Sequence, residues 1–141
     1  MATISKFQQF IEDLGKGVHN FTSDATCTVT VVLLTNANAP VATNSVLANL
    51  TTIDHSNLSS RVVTGITWEH TTGTAVMTAT DLVLTASGAV PTFRWVAFYN
   101  DDPTSPADPL IGFYDHGVDV NMQSGDTFTI DFGASGILTA S

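Results

Sequence analysis

Two stretches decide the fold: FRWVAFY at residues 93–99 and TCTVTVVLL at residues 26–34. The second alternates threonine with apolar residues and is rich in β-branched side chains. Such side chains are stiff in a helix and pack well on a pleated surface, so the stretch reads as a strand. The first is apolar at almost every position. Successive strand residues point to opposite faces, so this run predicts a central strand buried on both sides.

Working outward, RVVTGITWEH (61–70) reads as a strand with Gly65 marking a bulge. Residues 75–79 and 82–85 read as two short strands, or as one strand bent near Thr80-Asp81. LIGFYD (110–115) and TFTIDF (127–132) are further strands, and residues 136–139 a last short one. Residues 35–40 (TNANAP) and 124–126 (SGD) are turns by composition, and 54–60 a loop. Residues 41–53 mix short apolar residues with Asn and Thr, as a weak strand or coil. NDDPTSPADP (100–109) is an exposed loop. About eight short strands separated by turn signals predict an antiparallel β-sandwich, jelly-roll-like in character. Its core is expected from Cys27/Val29/Val31/Leu33, Phe93/Trp95/Ala97 and Phe128/Ile130/Phe132, each set on one face.

Before residue 26 the hydrophobic period is that of a helix. Ile4, Phe7, Phe10, Ile11, Leu14 and Val18 form one stripe, while Gln9, Glu12, Asp13 and Lys16 fall elsewhere. Ser5-Lys-Phe-Gln8 has the form of a capping box, and Gly15 and Gly17 are stop signals. The chain therefore divides into an N-terminal helix and connector (1–25) and a β-sandwich domain (26–141). Phe7, Phe10, Ile11 and Leu14 are the interface candidates, with part of the stripe expected on the chain's own core and part on a neighbouring copy.

Charge narrows the partners. Four Lys and Arg face thirteen Asp and Glu, a net charge of −9. No basic cluster exists to neutralise phosphates, which argues against nucleic acid and anionic lipid. The N-terminal residues lack the apolar core of a signal peptide, and no apolar run is long enough to span a bilayer. The single cysteine, Cys27, sits in an apolar run and reads as a small buried hydrophobe.

Catalytic chemistry finds little support. His55, His70 and His116 each follow a carboxylate (Asp54, Glu69, Asp115), but strand neighbours face opposite ways and cannot form a dyad on one side of a sheet. The histidines and cysteine lack zinc-ligand spacing. Gly133-Ala-Ser135-Gly136 misses the nucleophile-elbow pattern by one position and has too little chain after it for the helix that motif needs. Asp101, Asp102, Asp108, Asp115, Asp119 and Asp126 suggest calcium only by number. The regular loop spacing is absent, so a solvated acidic loop is expected. The reading is a chain that is not an enzyme and carries no cofactor or metal.

Longer segments carry a resemblance. KFQQFIEDLGKGVHNFTSD (6–24) is followed by LLTNANAPVATNSVLANLTTI (33–53), TDLVLTASGAVPTFRWVAFYND (80–101) and LIGFYDHGVDVNMQSGDTFTIDFGASGILT (110–139). Together these resemble a family of small tailed-bacteriophage virion proteins: a short helix with a V-H-N segment, an L-T-N-x-A-P-x-A-T-N turn, an aromatic strand ending in Y-N-D, and a closing G-D-T-F-T-x-D-F. Departures are the β-branched run after Cys27 and the proline-rich insertion at 103–109. The resemblance implies a capsid decoration (cement) protein on the outside of the shell, clamping major capsid subunits and present in the host cytoplasm during assembly. A homo-oligomer, dimer or trimer, is the expected state. The alternative is a tail or fibre-associated module contacting host glycan, for which Tyr99 beside the 100–109 loop is the candidate aromatic.

Overall fold

The computed structural model describes residues 3–22, 27–133 and 136–140. The expected boundary near 21–25 and the first residue of the 26–34 stretch lie partly outside them, as do Ala134 and Ser135. In chain order the elements are β1 (Ser5–Lys6), α1 (Gln8–Gly15) and β2 (Val29–Leu34), then two single-turn 3₁₀ helices (Asn36–Asn38 and Leu47–Asn49). They continue with β3 (Thr67–Thr71), β4 (Thr74–Thr78), β5 (Leu82–Thr85), β6 (Val90–Asn100), β7 (Leu110–Met122), β8 (Thr127–Ile130) and β9 (Leu138–Ala140). Every strand pairing is antiparallel. A four-stranded sheet runs β1-β7-β6-β2, a three-stranded one β3-β4-β9, and a two-stranded one β5-β8. The chain is thus mainly β, sandwich-like, with one short N-terminal helix, as its patterning predicts.

The aromatic strand is central. Val31, Val32, Leu33 and Leu34 of β2 stand opposite Phe98, Ala97, Val96 and Trp95, and Ala97 and Val96 stand opposite Phe113 and Tyr114 of β7. Alternate residues feed two cores. The main one takes Val31, Leu33, Phe93, Val96 and Phe98 and closes them with Met77, Leu84, Phe128, Ile130 and Leu138 from the other two sheets. The second takes Val32, Leu34, Ala97 and Tyr99 on the opposite face, under Phe7, Leu47 and Leu50.

One expected set is broken by this geometry. Phe93, Trp95 and Ala97 do not share a face, because the β6–β7 register shifts between Phe93 and Trp95. Across that shift β7 keeps its parity, with Tyr114, Val120 and Met122 all on the main core, while β6 changes its own at Arg94, from Phe93 to Val96 and Phe98. Phe93 therefore faces the main core, while Trp95 lies half-buried against the second. The Cys27/Val29/Val31/Leu33 and Phe128/Ile130/Phe132 sets are buried as expected.

Other boundaries moved for similar reasons. Of residues 61–70, Arg61–Val63 hydrogen-bond the outer edge of β2 (Val31 N to Arg61 O 2.9 Å, Val63 N to Val29 O 2.8 Å), whereas 67–71 belong to the three-stranded sheet. Gly65, at φ +68°, is the turn between the two pairings and not a bulge within one strand. The helix is shorter than its stripe: Ile4 precedes it and Val18 lies beyond its end. The capping box is absent, because Ser5 is in β1 and the N-cap is Phe7, with no side-chain cap. Gly112, opposite Phe98, lets β1 lie close, since a Cβ there would come to 3.0 Å from Ile4 Cγ2 and Ser5 O.

Candidate functional site: a polar cavity beside the N-terminal helix

Within α1 the 3.6-residue period sends Phe10 and Leu14 to the main core and sets Gln9, Asp13 and Lys16 on the neighbouring ridge. That ridge forms one wall of a cavity of about 350 Å³. Ser45, Ser105 and Pro106 line it from other segments of the chain, and Val18 and Val46 add apolar surface. Asp13 is 4% exposed. Its Oδ1 accepts from Gln9 Nε2 at 3.1 Å, and its Oδ2 is buried with no hydrogen-bond partner.

Behind Asp13 runs a buried polar seam. Asp13 O accepts from Val18 N at 2.9 Å, which ends the helix and delivers His19 to the interior, 5% exposed. The imidazole stacks on Phe21 (5.4 Å between centroids) and lies tilted against Phe10 (5.2 Å). Its Nδ1 is 3.2 Å from Nδ2 of the buried Asn100. Asn100 Oδ1 accepts from Asp102 N, so Nδ2 donates and His19 Nδ1 accepts. That assigns the ring proton to Nε2, which is buried without a partner. Burial depresses the His19 pKa to about 4, against a smaller opposing pull from Asp13. Asn100 N in turn donates to Pro109 O at 3.0 Å, closing the base of the 101–109 loop.

The sequence-predicted interface residues are divided by the fold. Phe7 and Phe10 are fully buried in the chain's own two cores, Leu14 is half-buried against the main one, and Ile11 is 48% exposed. A neighbouring copy can therefore meet Ile11 but not the two phenylalanines as they stand. Tyr99, the candidate glycan aromatic, is 8% exposed and offers no open ring face. Trp68, Trp95 and Phe113 are half-buried, and the remaining aromatics of β6–β8 are buried.

The acidic side chains are dispersed. Asp115 takes a bidentate pair from Arg94 (2.7 and 3.0 Å), which holds its carboxyl below the usual range. Asp102 caps Thr28 N at 2.6 Å, Asp81 accepts from Phe132 N at 2.9 Å, and Asp126 accepts from Gln123 N at 2.8 Å. Burial, and then a hydrogen bond with Asp101, raise the Asp108 pKa. Among the described residues no three His, Cys, Asp or Glu side chains are grouped to hold a metal ion. No helix among them is long and apolar enough to cross a membrane. His55 Nε2 accepts from Leu33 N at 3.0 Å, and its pKa is pushed down to about 4, first by burial and then by Arg61. Cys27 is buried.

The residues that sequence reasoning passed over are Asp13, His19 and Asn100. Asp13 has a faint signal, lying three residues after Phe10 and one before Leu14, at the border of the apolar stripe. The His19–Asn100 contact joins residues 81 apart and leaves no local mark.

Comparison with family models, with curated proteins and with solved structures finds no match to this chain.

Proposed function

We propose that this chain is a virion structural protein of a tailed bacteriophage, acting as a capsid decoration protein on the outside of the shell and tightening contacts between major capsid subunits. The observation that carries the reading is how the segments behind the family resemblance are used. His19 of the V-H-N segment and Asn100 of Y-N-D bond each other in the interior. In the L-T-N-x-A-P-x-A-T-N turn, Thr35 Oγ1 accepts from Asn38 N at 3.2 Å, and Asn44 Oδ1 accepts from Val41 N at 2.8 Å. Asn36 accepts from Trp95 Nε1 at 3.4 Å. Polar side chains so placed hold long irregular segments against a β-sandwich, which is architecture rather than chemistry. A rigid module of this kind suits a seam clamp, where many modest contacts repeated over a lattice add through multivalency.

Quantifying the chain against the major capsid protein in purified particles tests this. Near-capsid stoichiometry is expected. A few copies per particle would move the chain to the tail, and absence from particles would overturn the virion reading.

A further inference from the structure

The cavity beside α1 points beyond that reading, and holds whether or not the chain belongs to a virion. We propose that it receives the cationic head of a basic side chain, guanidinium or ammonium, presented by a partner protein, with the Asp13 carboxylate as its counter-charge.

A carboxylate oxygen can only accept hydrogen bonds when ionised. Asp13 Oδ2 is out of solvent without a donor, in the wall of a cavity large enough for a side chain. A buried charge left unpaired is costly, so the arrangement calls for a donor. The one unpartnered buried side-chain donor among the described residues, the Nε2–H of His19, is neutral and supplies no counter-charge. The chain's four cations are all engaged: Lys16 with Glu12, Arg94 with Asp115, Arg61 with Val31 O, and Lys6 with Thr139 O. A hard metal ion would want several oxygen charges together, and among the described residues Asp13 is the one carboxylate lining this cavity. The Ser45 and Ser105 hydroxyls supply further acceptors for a group with many N–H donors, and Val18, Val46 and Pro106 suit its aliphatic stem. Guanidinium fits better than ammonium, being planar and more weakly hydrated on entering a partly dry site. A net charge of −9 steers a basic surface toward this one. Lys16 stands at the rim, where its charge opposes entry of another cation.

The test uses the full chain and two neutral-backbone probes, N-acetylarginine methylamide and its uncharged isostere N-acetylcitrulline methylamide, monitored by amide chemical shifts. The arginine probe is expected to move the amides of Asp13, Lys16, Val18 and Ser105 saturably, and the citrulline probe to leave them in place. Asp13→Asn, nearly isosteric, should weaken the arginine probe by about ten-fold or more. Lys16→Met should strengthen it about two-fold by removing a like charge from the rim. Equal binding of both probes, or undiminished binding to a folded Asp13→Asn chain, would overturn the proposal. So would binding that shows up only after Lys16→Met, since the chain's own lysine would then close the site. If Asp13→Asn fails to fold, the citrulline comparison and the Lys16→Met direction still decide.

Discussion

The two faces of the four-stranded sheet come from alternate residues of the same strands, yet they are closed by different means. On the main face Val31, Leu33, Val96 and Phe98 are covered by strands whose backbone groups are paired within their own sheets. On the second face Val32, Leu34, Ala97 and Tyr99 are covered by Phe7 and by the irregular segment bearing Leu47 and Leu50. An irregular cover must satisfy its own polar groups, and here side chains do so: Asn49 Oδ1 accepts from Ser45 N at 3.0 Å and from Val46 N at 3.2 Å. The main face is therefore sealed by repetition, and the second by particular asparagines. The second also leaves Trp95 and Phe113 half-buried, which makes it the more adaptable surface.

The largest effect should come from the sealed face. Phe98 is fully buried and meets the rings of Tyr114 and Phe132 at 6.3 and 5.7 Å. Phe98→Ala should cost about 3–5 kcal/mol in denaturant unfolding. A loss near 1 kcal/mol would mean that the two faces are equally loose.

Acid should come next. His19 and His55 are held neutral with pKa values near 4, below the 6.5 of an exposed imidazole. Between those values the unfolded chain binds more protons than the folded one, so stability is full above about pH 6.5 and falls as pH drops toward 4. His19 alone should lose on the order of 3 kcal/mol, and the half-buried His55 less. Denaturant midpoints at pH 7 and pH 4.5 measure this, and the loss should shrink in His19→Gln.

Trp95→Ala tests the second face directly. Its ring is half-buried, so about 1–2 kcal/mol is expected instead of the full cost of a core tryptophan. A cost matching that of Phe98→Ala would show the second face to be as well sealed as the first. Asp115→Ala, which breaks a solvent-screened bidentate pair on β6–β7, should have the smallest effect on stability of these core and strand changes, and less still at high salt. Ile11→Ser should leave stability within about 0.5 kcal/mol. A drop in particle occupancy or in oligomer content with stability intact would place Ile11 at an interface. An unchanged occupancy would remove the helix from attachment.

The β class, the centrality of residues 93–99 and the N-terminal helix needed only local patterning, because side-chain period and β-branching act within a few residues. The loop was equally plain over residues 101–108, since proline and aspartate disfavour regular pairing there, but its expected ends, Asn100 and Pro109, are buried and paired, Asn100 as the last residue of β6. What local patterning could not convey was parity across a bulge. Whether Trp95 shares a face with Phe93 depends on where the β6–β7 register breaks, which nothing in the local pattern of residues 93–99 marks. The switch of residues 61–71 between sheets at Gly65 is likewise decided by which edges stand nearby. The candidate site is the extreme case. Asp13 looks like a solvent-side helix residue, yet it is 4% exposed, beside a cavity that segments near residues 45 and 105 also line. His19 and Asn100, 81 residues apart in sequence, bond each other in the interior. Burial and long-range hydrogen bonding are properties of what the rest of the chain brings alongside, and for these three residues tertiary packing alone supplies it.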